Sequence, residues 1–426
     1  MGEGTMNKTY SVNVNSDYEV IVIGGGPAGC SAAIRAARDG ARVLLIESSG
    51  ALGGMSSNGL VPEFCPYTDG ERIIHGGFSR ELLFKMKQVT PDPPEKLDYG
   101  TIDAESMKLF MDRAVAQSGA DVLFFSTVCA AEAEGGRVKS VTVANKAGLT
   151  VYEAKVFVDC TGDGDVAAFV GCEFEVGDSH GATQMPTLCF NVSSVNDGDK
   201  PIEKMVRERL PEIIADSEFP LIDNDFFCAM KLSEHLWGVN AGHVRGTDCL
   251  DRLSISRAMM LGREKAHQYL SALKKYMPEE FSEAHVSLTA PLLGIRETRR
   301  IVGEYVLTAD DYRARRSFPD EIGRNSYAID LHDASLFYRN EDVNSHYGKY
   351  GKGDSHGIPY RSLIPKGMDN LLVAGRSISC ERAVQSSLRI IPVCLVLGEA
   401  AGHAAAIAAR EGVSTREVDA SRITVL

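Results

Sequence analysis

The sequence has no Cys-x-x-Cys pair and no cluster of four cysteines; its ten cysteines lie singly between Cys30 and Cys394. A zinc ribbon, an iron–sulfur centre and a redox dithiol all need closer spacing, so no metal site is expected, and free thiols suit a reducing, cytoplasmic setting. Basic charge is also short. With 45 Lys and Arg against 58 Asp and Glu, and a formal net charge of −13, the chain lacks the basic surface that a nucleic acid or an anionic membrane attracts. That leaves a small molecule as the expected ligand. No apolar stretch occurs before Asp17, where a secretion signal would need one, and Met6 stands where a myristoylation pattern wants Ser or Thr. Residues 1–16 therefore read as a flexible tail. One run alone, residues 390–409, is long enough to span a membrane. Glu399 inside it would cost about 3 kcal/mol at bilayer depth even on a lenient scale, so the run reads as a buried helix.

What the sequence does have is glycine. In "VIVIGGGPAGCSAAIRAARDGARVLLIES", residues 20–48, the glycines at 24, 26 and 29 stand at fingerprint spacing between an apolar strand pattern and an alanine-rich helix pattern. In such a unit Gly24 permits the tight turn, Gly26 lets the backbone approach a pyrophosphate and Gly29 lets helix and sheet pack closely. Pro27 and Ala28 complete the turn, and the helix N-terminus offers unpaired N–H groups to negative charge. Glu47 ends the next strand, where a carboxylate accepts hydrogen bonds from both ribose hydroxyls, and Ser48 follows it. A dinucleotide site is the expectation. A second glycine pair, Gly53 and Gly54, followed by Met55, exceeds what a simple nicotinamide unit needs and points to a longer ligand.

Further along, a helix over residues 104–118 is followed by strand patterns at 122–128, 138–143, 150–153 and 156–160. The last of these runs into "TGDGD", where Thr161, Gly162 and Asp163 form either a plain β-turn or a strand-end loop beside a nucleotide. Asp163 and Asp165 are not joined by the further acids that a calcium loop requires. Near the other end, a buried strand at 371–374 leads to Gly375 and Arg376, and Pro392, with Val393 beside it, suits the first turn of a helix rich in small residues. Nothing after Ala130 repeats the first glycine fingerprint, so a dedicated NAD(P)H domain is absent from the expected layout. The length allows two or three domains, and residues 174–365 have mixed patterning without such a fingerprint.

The segments "LGGM", "VDCTGDGD", "LLGIRETRRIVGEYVLTADD", "YAIDLHDA", "GIPYRSLIPKGMDNLLVAGRSIS" and "SLRIIPVCLVLGEAAG", in this order, resemble the bacterial FAD-dependent oxidoreductases of the glutathione-reductase-like superfamily. The likeness runs from about Asp17 to Ala409. It implies an α/β fold: a Rossmann-like FAD-binding domain with a parallel central sheet, discontinuous in sequence over 17–173 and 366–426, and an inserted α+β substrate domain over 174–365. It further implies that FAD stays bound. Gly24, Gly26, Ala28 and Gly29 would hold the pyrophosphate, Glu47 the adenosine ribose, Gly54 and Met55 the ribityl side, and the backbone at Val128 the adenine. Residues after Arg389 would cover the pyrimidine edge of the flavin. One departure stands out: where many relatives place Gly-Asp, with the acid on the ribityl chain, this chain has Gly375-Arg376. The paired cysteines of disulfide reductases are missing, and no match to the His and Arg constellation of fumarate reductases is found.

For chemistry, Arg389 and His332 rank first, followed by Tyr360 and Arg296. Arg389 precedes the flavin-facing helix; His332 follows Asp330 by two residues, a spacing open to acid–base work. Tyr360 lies where the chain returns to the cofactor domain. In "GIRETRR", Arg296, Arg299 and Arg300 share a face if helical, Arg296 and Arg300 if extended; the segment reads either as a solvated basic turn or, by the resemblance, as part of a pocket, where an Arg fork suits a carboxylate or an anionic intermediate. His75 is read either as a helix-entry residue or as a flavin contact. The expected reaction is hydride transfer between a small organic substrate, oxidised at C–H or reduced at C=C, and FAD, with an unknown electron donor or acceptor. An NAD-dependent dehydrogenase and a non-catalytic flavin-binding sensor or partner subunit are the alternatives. A homo-oligomer is compatible with the sequence.

Overall fold

The computed structural model describes residues 12–333 and 346–423. Five parallel strands form the central sheet in the order Leu371–Val373, Val156–Asp159, Val20–Ile23, Val43–Ile46, Asp121–Leu123. The middle three are short apolar runs without polar alternation, because both faces of a parallel sheet are covered. Val20, Val22, Val43 and Leu45 point into one core, shared with the helices Pro27–Arg38 and Ile391–Glu411, while Ile21, Ile23, Leu44 and Ile46 point into another. This second core is closed by an antiparallel meander of Thr127–Glu134, Arg137–Asn145 and Gly148–Glu153.

Where one strand is expected over 122–128, there are two. Asp121–Leu123 ends the parallel sheet and Thr127–Glu134 begins the meander; between them Phe125 takes a left-handed φ of 51° that redirects the chain from one sheet to the other. The tail expected over 1–16 is also revised. Residues 1–11 lie outside the described ones, but Asn13–Asn15 is a strand paired in parallel with Gly148–Glu153.

A second unit has its own core. Its antiparallel sheet runs Phe227–Ser233, Leu236–Ala241, Phe190–Ser193, His285–Thr289, and the helices Ile202–Ala215 and Arg252–Tyr276 supply residues such as Val206, Leu210, Tyr269 and Leu273 to the same core. The expected boundary at 365 does not coincide with the edge of this core. Leu307, Tyr312, Ile322, Ile358 and Leu363 pack into the core of the parallel sheet instead, so the chain returns to the first unit well before residue 365.

The helix Ile391–Glu411 is long and apolar enough to cross a membrane, yet 94% of its most apolar window is buried inside the protein. Its Glu399 is not stranded there: the Phe78 N–H donates to it at 2.8 Å and Arg35 approaches at 3.5 Å. The helix lies directly on Pro27–Arg38. A Cβ built on Gly398 would fall 1.9 Å from the Ala28 carbonyl oxygen, and one on Gly402 would fall 2.2 Å from that of Ala32. Only glycine lets the two backbones approach this closely.

This contact sets a test in which two effects have opposite signs. Gly402→Ala gains up to about 1 kcal/mol in helix propensity but drives a methyl into a backbone carbonyl, at a cost of roughly 1–3 kcal/mol or more. Urea unfolding should show a net loss of stability. A variant as stable as the parent would contradict the close packing.

Candidate active site

A cleft of about 380 Å³ begins at the C-terminal ends of the parallel strands, where Gly24, Thr161 and Gly375 follow their strands, and ends under the antiparallel sheet. This is the crevice in which open α/β sheets bind ligands. Gly24 has φ 95°, and a Cβ there would lie 2.4 Å from the Cys160 carbonyl oxygen. Gly29 does not line the cleft: its Cβ would fall 1.7 Å from the Gly24 carbonyl oxygen, so it holds the turn closed. Gly26 differs from both. A Cβ on it meets no atom within 4 Å, because its bare face looks into the cleft. No side chain caps the helix that starts after it, which leaves first-turn N–H groups for an anionic ligand. A cradle open to one side, with an uncapped helix end beneath it, fits a pyrophosphate.

Pro27, Ala28, Glu47, Ser48, Gly54, Met55 and Val128 all line the same cleft. The Glu47 carboxylate is fixed by two backbone donors, Gly25 N–H at 2.6 Å and Ser49 N–H at 2.7 Å. Gly53, with φ 101°, sits behind the lining and caps the short 3-10 turn Gly54–Ser56. Thr161, Gly162 and Asp163 line the cleft as a strand-end loop. Buried Asp159 organises that loop by accepting bonds from Thr161 Oγ1 at 2.7 Å and Ala167 N–H at 3.0 Å.

Arg376 explains the departure at Gly375-Arg376. Its guanidinium donates to the Gly162 carbonyl at 2.8 Å, to Asp163 at 2.6 Å and to the Ile295 carbonyl at 2.6 Å. It braces the loop that carries an acid into the cleft, while Thr298 Oγ1 donates to the same Asp163 oxygen at 2.7 Å. Besides Gly29 and Gly53, two further expected cofactor residues need correction. Pro392 and Val393 turn away: the Pro392 carbonyl accepts from Ser79 Oγ at 3.1 Å and Val393 is fully buried. Their neighbours Ile390, Ile391 and Cys394 face the cleft instead, because on a helix the lining falls to positions three and four apart.

At the far end, Arg296, Arg389, Glu63, Cys65, Thr187, Cys189 and Asn240 line the space. The three arginines of "GIRETRR" part company, because the backbone there is a loop entering the short strand Arg299–Ile301 rather than a helix. Arg296 reaches the cleft, Arg299 binds Asp165 at 2.8 Å, and Arg300 pairs with Glu297 and Glu175. Arg389 donates to the Asp330 carbonyl at 3.1 Å and its carboxylate at 3.3 Å.

His332 stands one layer behind the lining. Its Nε2 is 3.1 Å from Asp330 and its Nδ1 is 2.8 Å from Nε2 of His243. Burial alone would raise the Asp330 carboxyl, but His332, Arg389 and Arg296 outweigh it and hold the group below the usual carboxylate range. Burial and then Arg296 pull His332 down to about 4. A neutral His332 therefore donates to Asp330 and accepts from His243, so it orients the acid that anchors Arg389.

Tyr360 is not at the cleft. It is 2% exposed and donates to the Thr415 carbonyl at 2.7 Å, which fastens the chain end to the core. His75 is buried beside Tyr67 just ahead of the helix Gly77–Met86 and is off the lining.

Glu63 and Asn240 carry no sequence signal. Glu63 becomes notable only through its surroundings: burial pushes its carboxyl up to about 7, with the Cys228 thiol donating to it at 3.5 Å. Asn240 lies in the strand Leu236–Ala241, whose register aims it downward from the roof.

A family model described as FAD dependent oxidoreductase matches residues 19–425. The chain belongs to this family. It is an enzyme, an oxidoreductase, and its cofactor is FAD. Curated relatives include mitochondrial dihydrolipoyl dehydrogenase 2 of Arabidopsis thaliana, 30% identical over 112 residues, which are 26% of this chain and 20% of that one. The dihydrolipoyl dehydrogenase of Trypanosoma brucei brucei is 50% identical over 78 residues, 18% of this chain and 16% of that one. The chain thus spans a fifth or less of the length of either. Among solved structures, p-nitrophenol 4-monooxygenase of Pseudomonas putida DLL-E4 aligns with TM-score 0.50 at 14% identity, over 95% of this chain and 82% of that one. A flavin-dependent brominase aligns with TM-score 0.50 at 13% identity and the same coverage. These two likenesses speak for the fold alone.

Gly26→Val tests the cradle. With no protein atom within 4 Å of the new Cβ, thermal stability of the apoprotein should fall by no more than the roughly 1 kcal/mol that a poorer N-cap costs, while flavin content on purification falls at least about tenfold, the loss expected when a backbone approach is blocked. Full flavin retention in that variant would contradict the site.

Proposed function

We propose that this enzyme transfers a hydride between a carbon of a small organic substrate and its FAD, with Glu63 exchanging the accompanying proton. The observation that carries this reading is the continuity of one cleft, from the glycine turn at Gly24 to a roof where Glu63, Asn240, Arg296 and Arg389 converge. In this reading the first-turn N–H groups behind Gly26 hold the pyrophosphate and Glu47 the adenosine ribose. The backbone of 126–128 borders the adenine, and Gly54, Met55 and Asp163 the ribityl chain. Ile390, Ile391 and Cys394 border the ring system.

FAD supplies the hydride-accepting and hydride-donating chemistry. The chain's own residues do the rest. Arg389, held by Asp330 and through it by His332, keeps a positive charge at the mouth of the C-terminal helix, where it favours electron-rich groups. The roof residues exclude water and orient the substrate. Glu63, with a carboxyl near 7, can both take and return a proton at neutral pH. Family membership leaves no role for a visiting nicotinamide at the first glycine turn, and a cleft with chemistry-bearing residues at its inner end favours turnover over a purely sensory role.

Anaerobic mixing of the yellow enzyme with a metabolite panel tests this, with bleaching of the flavin's visible absorbance as the readout. In the oxidation direction Glu63 must start deprotonated, so the bleaching rate should rise with pH through about 7 and level off above it. Glu63→Gln should remove that inflection and slow the step by about two orders of magnitude. An unchanged pH profile in the variant would dismiss Glu63.

A further inference from the structure

Arg296 is 7% exposed and lines the inner end of the cleft. Every partner it has is neutral. Its Nη1 donates to the Met185 carbonyl at 2.8 Å and to Thr187 Oγ1 at 2.7 Å, its Nη2 lies 3.5 Å from Asn240 Oδ1, and its guanidinium sits 5.7 Å from the Phe226 ring centre. Among the described residues, no carboxylate is within ion-pair distance of it. Buried guanidinium groups are otherwise found paired, because an isolated charge in a low-dielectric site is poorly compensated by neutral dipoles.

The nearby acids do not supply the missing charge. Asp330 is taken by His332 at 3.1 Å and Arg389 at 3.3 Å. Glu63, the other acid at this end, is only partly ionised near neutrality. Burial, and after it the nearby cation Arg389, lower Arg296 to about 10. Asp330 acts on Arg296 only from beyond ion-pair distance, so this end of the cleft carries more positive than negative charge and lacks an anion in contact with Arg296. Arg296 is also tethered on the roof side, since Met185, Thr187, Phe226 and Asn240 all belong to the inserted segment rather than to the glycine turns. An anion held there would face the cofactor across the cleft.

We propose that the substrate carries a carboxylate and that Arg296 is the residue that receives it, with Asn240 and Arg389 flanking the group. A planar guanidinium fork matches a carboxylate edge with two parallel hydrogen bonds and so fixes orientation as well as position. This inference rests on the hydride-transfer reading for the word substrate, but the anion site itself does not.

The test is calorimetric titration of the FAD-loaded enzyme with propionate, succinate, benzoate and phenylacetate, each beside its primary amide. At least one acid should bind saturably and about tenfold or more tighter than its amide, the range of a charged hydrogen-bonded pair. Arg296→Gln should erase that preference, and Arg296→Lys should restore part of it. No saturable binding of any acid, or amides that bind as tightly, would overturn the proposal, and this comparison on the parent enzyme decides even where the glutamine variant fails to fold. If Arg296→Gln kept the acid preference and instead shifted the reduction potential of the flavin, Arg296 would serve the cofactor and the proposal would fall. Acids that bind without any panel member bleaching the flavin would sink the hydride-transfer reading and leave the anion site standing.

Discussion

The helix Ile391–Glu411 lies on Pro27–Arg38 because Gly398 and Gly402 leave room for the carbonyls of Ala28 and Ala32. Most of the site follows from that contact. It brings Ile390, Ile391 and Cys394 to the same cleft as Gly26 and Gly54, although more than three hundred residues separate them in sequence. The sheet agrees with the helices: the strand Leu371–Val373 joins the edge beside Val156–Asp159, and that strand pairs with Val20–Ile23. The two distant chain segments thus complete one unit by packing and by hydrogen bonding at once.

A second layer of order comes from arginines that act on loops rather than on ligands. Arg376 and Arg299 grip the 161–165 turn from two sides, and buried Asp159 holds it from below. A turn with four glycine or aspartate positions would otherwise sample many shapes. Behind the inner end of the cleft, His243, His332, Asp330 and Arg389 form one hydrogen-bonded line. Burial keeps the two histidines neutral, so the line presents one negative and one positive charge, and Arg296 remains the uncompensated one.

The sequence made the cofactor half of this legible because its constraints are backbone constraints. Glycine at 24, 26 and 29, an acid at 47 and an apolar strand before the turn each follow from steric or hydrogen-bond needs that operate within thirty residues. The far half was less legible. Arg296 and Arg389 were visible through the resemblance, whereas Glu63 in "VPEFC" has no local pattern; its unusual proton affinity arises from burial, which outweighs the opposing hydrogen bond from Cys228, and both are set by tertiary packing. Tyr360 shows the opposite error. A tyrosine next to a domain return suggested a cleft, but the chain had already rejoined the parallel-sheet core by Leu307, and the hydroxyl was left to tie down Thr415. Pro392 and Val393 missed by one helical position on either side, which sequence periodicity cannot resolve at a helix start.

The central claim is that the two distant parts of the chain enclose one firmly held FAD. The most direct measurement is the identity and amount of flavin released by heat from the purified, reconstituted enzyme, with chromatography distinguishing FAD from FMN and from nicotinamide dinucleotides. The account predicts FAD at close to one per chain, retained through gel filtration. A colourless protein that takes up no flavin, or one that retains NAD in its place, would contradict it.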